Sequence, residues 1–210
     1  MNIVVATIRD LCQLTEGPFL LFVVNLMLDF IEVYDGAASA DDCDFVIDWF
    51  ENSKPLQIPG YCGNRMIKKE IKDSTDITTS LIEDVPPSPI VFKAIETSMN
   101  QYKETYPFVD KISPYASDLW YNIQRYEPNQ GYFGEHCEHE SAASQRILGW
   151  TLYLNTVTDG GETYYTFYDR KVEAVQGRMC IFPAYWTHAH KGIVSRSQSK
   201  YIATGWISFR

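Results

Sequence analysis

The sequence predicts a mainly β fold of the α+β class, in which N-terminal helices support a C-terminal double-stranded β-helix (jelly-roll) barrel. From Leu119 onward the chain reads as many short strands separated by turn residues, a pattern typical of an antiparallel sandwich or barrel. Two stretches with helical spacing of apolar residues come before that point. The length of 210 residues and the hydrophobic content of 45% suit one medium domain with a sizeable core.

The first 25 residues are predicted to be an extension of uncertain order, followed by a single domain over residues 26–210. Residues 19–28 form an apolar run that only Asn25 interrupts. This run is too short for a bilayer span, which needs about 20 residues. Because only Arg9 provides a positive charge ahead of it, the run is also a poor match to a secretory signal. We therefore expect no membrane partner.

The N-terminal part of the domain, residues 26–118, is expected to supply helical support and loops. Period-two alternation predicts a strand over residues 26–34. Ser39 is a suitable N-cap for a helix over residues 40–52, since serine accepts hydrogen bonds from the first free amides of a helix. A second helix is predicted over about residues 88–105, after a proline-rich turn.

Two loop regions of this part, residues 54–85 and 108–118, are rich in Pro, Tyr and Ser and are expected to bind the substrate. Residues 61–85 read as irregular and rich in turns. The remaining residues, 119–210, are expected to form the jelly-roll core with the metal site. The predicted strands of this core cover residues 120–126, 131–138, 146–155, 163–168, 177–182, 187–191 and 201–209.

Charge and cysteine content exclude some classes of function. The formal net charge of −9 argues against a nucleic-acid partner, because binding to nucleic acid depends on neutralising phosphates. The five cysteines are an odd number and form no paired CxxC motif. This usage is typical of reduced thiols. We therefore expect the protein in the cytoplasm of a cell, or of a host cell if it is virally encoded.

The four histidines fall in two clusters, at residues 136–140 and 188–190. In a strand, residues two apart point to the same face, so His136 and Glu138 can aim inward together. The same rule puts His188 and His190 on one face, and either could complete a site. Two imidazoles and one carboxylate form the facial triad of non-haem iron(II) oxygenases, which leaves positions open for a bidentate 2-oxo acid and for dioxygen.

Lys200 follows the second histidine cluster on the next predicted strand. A lysine that reaches into a barrel is costly to bury unless it meets an anion. The distal carboxylate of 2-oxoglutarate would be such an anion.

The last 90 or so residues closely resemble the prolyl-4-hydroxylase-like branch of the iron(II)/2-oxoglutarate oxygenases. The motifs agree in order and approximate spacing. The first part of the pattern is Tyr126, Gly131, Phe133, His136, Glu138, Arg146, Tyr153-Leu154-Asn155 and Gly160-Gly161-Glu162-Thr163. The second part is Gly177, Phe182-Pro183, His188, Lys200-Tyr201 and Trp206.

The resemblance implies a role for each matching residue. His136, Glu138 and His188 would bind Fe(II). Lys200 and the hydroxyl of Tyr153 would bind the distal carboxylate of 2-oxoglutarate.

By the same resemblance, Thr163 and Trp206 would line the co-substrate pocket, and Tyr126 would sit near the metal. The implied reaction is hydroxylation of an unactivated C–H bond, with release of succinate and carbon dioxide and with ascorbate as a reductant. The implied substrate is a prolyl residue of a peptide or protein, although small molecules stay open.

Two positions depart from the family pattern. The acidic ligand is Glu138 where most of the branch has Asp, and the longer side chain can bind a metal through both oxygens and block a site. Counting from Phe182-Pro183 selects His188 as the distal ligand, whereas counting back from Lys200 selects His190. Residues 192–199 look like a lengthened hairpin, and an insertion there favours His188.

Two alternatives use the same barrel. Two histidines, a glutamate and a water also form a catalytic zinc set, which would make the protein a hydrolase with Glu140 or His139 as the general base. That reading leaves Lys200 and Tyr153 without a role. A catalytically inactive, metal-free or metal-binding module is the third reading, but all four histidines lie at the expected metal site.

Overall fold

The computed structural model describes residues 28–63, 66–81 and 84–210. The predicted N-terminal extension, residues 1–25, lies outside these ranges. The described residues contain two α-helices, α1 (Ala40–Asn52) and α2 (Ser88–Thr105). Their strands are β1 (Glu32–Tyr34), β2 (Ile58–Pro59), β3 (Lys72–Asp73), β4 (Thr75–Ser80), β5 (Tyr115–Ser117), β6 (Trp120–Tyr126), β7 (Gly131–Tyr132), β8 (Arg146–Tyr153), β9 (Thr163–Tyr165), β10 (Arg170–Val172), β11 (Met179–Pro183), β12 (His190–Gly192) and β13 (Lys200–Phe209).

One large sheet provides the frame of the molecule. Its strand order is β1-β11-β8-β13-β6-β4-β2, and β5 pairs with β13. A three-stranded sheet, β10-β9-β12, and a two-stranded sheet, β3-β7, complete the β structure of the described residues. All of these pairings are antiparallel. Double-stranded β-helices combine a large and a smaller sheet in this way, and the predicted fold class is confirmed.

The two faces of the large sheet have different partners, as period-two alternation requires. On β8, Trp150 and Leu152 point to a core shared with α1 and α2, while Tyr153 belongs to a second apolar cluster on the other face. On β11, Met179 and Ile181 likewise face the helices, whereas Cys180 and Phe182 face inward. The inner face is therefore free to build a site between the sheets.

Both helices form where the sequence predicts them. Ser39 caps α1 through a capping box, in which its hydroxyl accepts from the Asp42 amide at 3.1 Å. The buried face of α1 consists of Cys43, Val46 and Phe50, which recur at three- and four-residue spacing. Among the described residues, neither helix has the combination of length and apolar sequence that crossing a membrane requires.

Several strands differ from their predicted limits. The predicted irregular region contains β4, which pairs along its length with β6 from Thr75↔Arg125 to Ser80↔Trp120. The run of threonine and isoleucine in β4 has high β propensity, and that signal was available in the sequence. Residues 26 and 27 of the strand predicted over residues 26–34 lie outside the described ranges. In residues 28–34 the strand is limited to β1, because Phe30 adopts a positive φ of 56° that a strand cannot accommodate.

The strand predicted over residues 187–191 is also wrong in its first half. Residues Trp186–His188 form a turn of 3-10 helix, and β12 begins only at His190. The strand predicted over residues 131–138 is similarly short, since β7 ends at Tyr132 and His136 forms only an isolated bridge with His190.

A buried ion pair joins the two-stranded sheet to the large one. Lys72 of β3 and Asp76 of β4 approach to 2.6 Å, and both side chains are only 4% exposed. Ser74 donates its hydroxyl to the other oxygen of Asp76 at 2.7 Å. Gln124 of β6 donates to Asp76 at 3.4 Å. The carboxylate thus has partners on three strands or turns, which is the condition for burying a charge without a large penalty.

We expect Lys72→Met to lower the free energy of unfolding by about 3–5 kcal/mol, because it leaves the Asp76 carboxylate buried without its cation. Lys69 provides a matched control, since it pairs with Asp73 at the same i,i+4 spacing but is 70% exposed. Lys69→Met should change stability by less than about 1 kcal/mol. Urea denaturation of both variants measures the difference, and equal losses would contradict the assignment of Lys72–Asp76 as a structural pair.

Candidate active site

A cavity of about 700 Å³ lies between the inner face of the large sheet and the two smaller sheets. The large sheet contributes inward-facing side chains of β6, β8 and β13, and the smaller sheets contribute residues of β3, β7, β9 and β12. Of the two predicted substrate loops, the first reaches the cavity through Tyr61 and Cys62. In contrast, the second loop supplies β5, which pairs with β13 at the far end of that strand.

Three potential metal ligands converge in this cavity. His136, Glu138 and His190 each offer one donor atom, and these atoms all lie within 4.8 Å of one another. The Oε1 atom of Glu138 lies 3.6 Å from Nε2 of His136 and 3.4 Å from Nε2 of His190. The His136 and Glu138 pair predicted from the sequence is thus brought together with a histidine of the second cluster.

Backbone hydrogen bonds hold the two histidines of this group. The His136 amide donates to the His190 carbonyl at 3.0 Å, and the His190 amide donates back at 2.8 Å. In each ring, Nδ1 lies 2.9 Å from a carbonyl oxygen, that of Gly134 for His136 and that of His188 for His190. A carbonyl can only accept, so each Nδ1 carries a proton, and in the neutral ring each Nε2 presents its lone pair to a metal.

Aromatic side chains pack against both imidazoles. Tyr132 stacks on His136 with ring centroids 3.7 Å apart and an interplanar angle of 9°. Phe182 and Tyr165 pack on His190 at 4.8 Å and 5.3 Å. These contacts restrict ring rotation. Sequence reasoning did not assign Tyr132 to the site, although an aromatic residue four positions before His136 was a usable signal.

The Glu138 carboxylate has partners on both of its oxygens. Trp206 donates its indole N–H to Oε2 at 2.7 Å. The Arg146 guanidinium lies 3.9 Å from the same oxygen and donates to the Glu138 carbonyl at 3.1 Å. Burial acts to raise the pKa of Glu138. When His136 and His190 carry protons on Nε2, their hydrogen bonds and charges outweigh burial and hold that pKa well below its usual range.

His188 is not part of this group, and the choice of His188 over His190 is corrected. Its Nε2 lies 2.7 Å from the Asp29 carbonyl oxygen, and its ring packs on Tyr168 at 5.0 Å. The same-face rule for residues two apart needs an extended backbone, and the 3-10 turn at Trp186–His188 breaks that condition. Burial lowers the pKa of His188, which keeps this ring neutral in its structural position.

A second feature of the cavity is a buried cation. Lys200, at the start of β13, is 7% exposed, and it forms no salt bridge with any of the residues described. Its Nζ lies 5.9 Å from the ring centroid of Tyr126 and 5.4 Å from that of Tyr153. Burial lowers the pKa of Lys200 to about 8, against the attraction of Glu162.

The remaining predicted site residues surround Lys200 or line the cavity beside it. Tyr153 and Thr163 share a hydroxyl–hydroxyl hydrogen bond of 2.7 Å. Tyr126 donates its hydroxyl to Gln124 at 2.7 Å, and its ring lies beside Nζ of Lys200. Thr163 and Trp206 both line the cavity wall, and Trp206 also contacts Glu138 as described above.

Comparison with known proteins gives one family match. Residues 121–208 match the family model described as the 2OG-Fe(II) oxygenase superfamily. This segment contains the three clustered potential ligands, Lys200 and its neighbours. No curated protein sequence matches the chain.

Solved structures share the fold at low sequence identity. The viral collagen prolyl hydroxylase of Paramecium bursaria Chlorella virus-1, in complex with 2-oxoglutarate, aligns with 20% identity and a TM-score of 0.65 over 86% of this chain and 97% of its own. A Pseudomonas putida prolyl-4-hydroxylase aligns with 15% identity and a TM-score of 0.65 over 87% and 94%.

A third structure is a prolyl hydroxylase from Trichoplax adhaerens in complex with a hypoxia-inducible-factor peptide fragment. It aligns with 13% identity and a TM-score of 0.66 over 86% of this chain and 84% of its own. At these identities the structures establish the fold, and the family model supplies the function class. Residues 121–208 match the 2OG-Fe(II) oxygenase superfamily, and the protein is a 2-oxoglutarate-dependent dioxygenase with the fold seen in prolyl hydroxylases.

Proposed function

We propose that this dioxygenase hydroxylates an unactivated C–H bond of a prolyl residue in a peptide or protein. The observation that carries the proposal is the presence, in one cavity, of the His136–Glu138–His190 group and the buried cation Lys200. The first group suits a metal and the second suits a dicarboxylate. The family implies Fe(II) and 2-oxoglutarate, and the residues of the cavity fit both.

The donor set fits Fe(II). Two imidazole Nε2 atoms and one carboxylate oxygen form the facial triad of non-haem iron(II) oxygenases. Both imidazoles present a lone pair because their Nδ1 protons are held by carbonyl oxygens. When bound, iron and 2-oxoglutarate together supply the oxidising chemistry, in which the co-substrate loses carbon dioxide to give succinate.

The Lys200 pocket fits the distal carboxylate of 2-oxoglutarate. A buried ammonium group with no ion-pair partner among the described residues is unfavourable, and an anionic ligand would remove that cost. The hydrogen-bonded hydroxyls of Tyr153 and Thr163 can donate to the same carboxylate. A zinc hydrolase on this barrel would have no use for this pocket.

The protein residues bind, orient and exclude water. Tyr126 and Tyr153 enclose the Lys200 ammonium with their rings, which keeps solvent from the charge. Tyr132 and Phe182 fix the planes of the two imidazoles. Placing the co-substrate and the substrate C–H bond beside one metal converts the reaction into an effectively intramolecular one.

A peptide substrate is supported by the kinds of protein that share this fold. They include a collagen prolyl hydroxylase and a prolyl hydroxylase in complex with a peptide fragment. The cavity is large enough for a prolyl side chain beside 2-oxoglutarate, since ligand sites commonly span about 300–1,000 Å³. The loop that carries Tyr61 and Cys62 is the candidate contact for the peptide.

An anaerobic titration of the apo-protein with Fe(II) and then 2-oxoglutarate tests the cofactor chemistry. We expect a visible metal-to-ligand charge-transfer band that needs both additions. Lys200→Ala should weaken 2-oxoglutarate binding by at least about 100-fold, since it removes a buried charge-assisted contact. The exposed Lys171 serves as a control, and Lys171→Ala should bind normally. Folded, iron-loaded protein without a band would overturn the oxygenase proposal and direct the work to zinc content and hydrolase assays.

The histidine assignment is tested with a matched pair of variants. His190→Ala should lower metal affinity by more than about 100-fold, because it removes a ligand. Mutation of a residue that only hydrogen-bonds to a ligand already costs about 10- to 100-fold in metal affinity. His188→Ala should keep metal affinity and lower the free energy of unfolding by about 1–3 kcal/mol, because its buried hydrogen bond to Asp29 is lost. Mn(II) calorimetry and urea denaturation measure the two effects. The reverse pattern would restore His188 as the ligand.

The affinity for 2-oxoglutarate should fall as the pH rises above about 8. The empty pocket lowers the pKa of Lys200 to about 8 by burial, whereas a bound carboxylate favours the charged lysine and raises that pKa again. Above about pH 8, binding therefore takes up a proton, and Kd should increase by up to about tenfold per pH unit. The measurement is calorimetry from pH 7 to 9.5.

Two controls isolate Lys200 in this pH profile. Lys200→Arg keeps its charge at every pH of the series, so its profile should be flat. A 2-oxo acid that lacks the distal carboxylate, such as 2-oxobutanoate, should also show no slope above pH 8. An equal slope for both co-substrates would assign the titration to another group.

A further inference from the structure

We propose that Trp206 is a positioning residue that restricts Glu138 to a single metal-binding oxygen. Its indole N–H donates to Oε2 of Glu138 at 2.7 Å. The other oxygen, Oε1, is the one that faces Nε2 of His136 and Nε2 of His190, at 3.6 Å and 3.4 Å. This inference rests on the proposed function, because it concerns how the carboxylate meets the metal.

The restriction matters because glutamate is one methylene longer than the aspartate found in most of this branch. A longer, more flexible carboxylate can turn both oxygens toward a metal and fill one more coordination position. The facial triad serves oxygenases because it leaves enough open positions for the co-substrate and the oxidant. A hydrogen bond that occupies Oε2 preserves those positions.

Arg146 holds Trp206 and Glu138 in this relation. The carbon of its guanidinium lies 3.5 Å from the ring centroid of Trp206, so the cation covers one face of the indole. The same guanidinium donates to the Glu138 carbonyl oxygen at 3.1 Å and lies 3.9 Å from Oε2. The indole ring and the backbone of Glu138 are thereby fixed to one another.

Gly149 provides the space that the longer side chain needs. It lies directly across from Trp206 in the pairing of β8 with β13. A Cβ at this position would come within 3.3 Å of Cγ of Glu138 and within 2.7 Å of the Phe182 ring. Phe182 itself packs on His190 and cannot move without disturbing a ligand. Glu138 therefore fits at this position because Gly149 has no Cβ on one side and because Trp206 donates a hydrogen bond on the other.

The test is Trp206→Phe, which removes the N–H and keeps an aromatic ring for Arg146. Two quantities are measured on folded protein: Mn(II) affinity, with the relaxation of water protons by bound Mn(II), and the 2-oxoglutarate affinity of the Fe(II) protein from its charge-transfer band. We expect Mn(II) affinity to stay within about threefold or to increase, since a freed Oε2 adds a ligand. The relaxation of water protons by bound Mn(II) should fall by about a third, because one of three open positions is filled, and 2-oxoglutarate affinity should fall by about tenfold.

The control variant is Trp120→Phe, because Trp120 is 57% exposed on β6 and its loss should alter none of these quantities. Glu138→Asp gives a second check, since the shorter carboxylate has less reach for bidentate binding. In that background, Trp206→Phe should change 2-oxoglutarate affinity by less than about twofold.

Three outcomes separate the hypotheses. If Trp206→Phe changes neither the relaxation of water protons by bound Mn(II) nor the 2-oxoglutarate affinity, the inference is overturned. A parallel loss of metal affinity, co-substrate affinity and thermal stability would also overturn it, by showing a general structural role. A wild-type protein that binds Mn(II) but gives no charge-transfer band would instead overturn the proposed function, and the Mn(II) water measurement would still decide the role of Trp206.

Discussion

The two backbone hydrogen bonds between His136 and His190 are the contact on which the site depends. They join a segment that has left strand β7 to the first residue of β12, and they bring two proposed metal ligands together from positions 54 residues apart in the chain. Each ring is then oriented by a carbonyl within two residues of it. The ligand geometry therefore comes from main-chain atoms, and the packed aromatic rings only limit its motion.

The cavity also holds two buried lysines whose surroundings differ in an informative way. Lys72 has an internal counter-ion in Asp76, with further donors that complete the carboxylate. Lys200 has aromatic faces and nearby hydroxyls but no ion pair within the described part of the chain. A charge that is satisfied internally stabilises the fold, whereas a charge left for an outside partner lowers stability until that partner arrives. The same residue type thus serves structure in one case and is available for ligand binding in the other.

Much of the fold could be predicted because its signals are local. The cap at Ser39, the apolar face of α1 and the alternation in β6, β8 and β13 each lie within one element. The His136–Glu138 pair was predictable for a similar reason, since it needed only two residues with the correct spacing. The strand β4 has a local signal in its run of threonine and isoleucine, but its pairing with β6 depends on residues about 45 positions away. The prediction of His188 as the distal ligand was wrong because a short 3-10 turn changes the direction of the chain, and no residue pattern predicts that turn. The hydrogen bond from Trp206 to Glu138 depends on strand register and could not be derived from sequence spacing.

The position of His188 shows that residues outside the family match, residues 121–208, also support the candidate site. Its ring binds the Asp29 carbonyl, Asp29 pairs with Arg170 at 2.6 Å, and the His188 carbonyl holds Nδ1 of His190, a proposed metal ligand. A residue almost a hundred positions before the start of the family match is thus two hydrogen-bonded steps from the proposed metal site. Any shortened or fused form of the chain that begins after Asp29 would leave the buried imidazole of His188 without its acceptor, two residues from the proposed metal ligand His190.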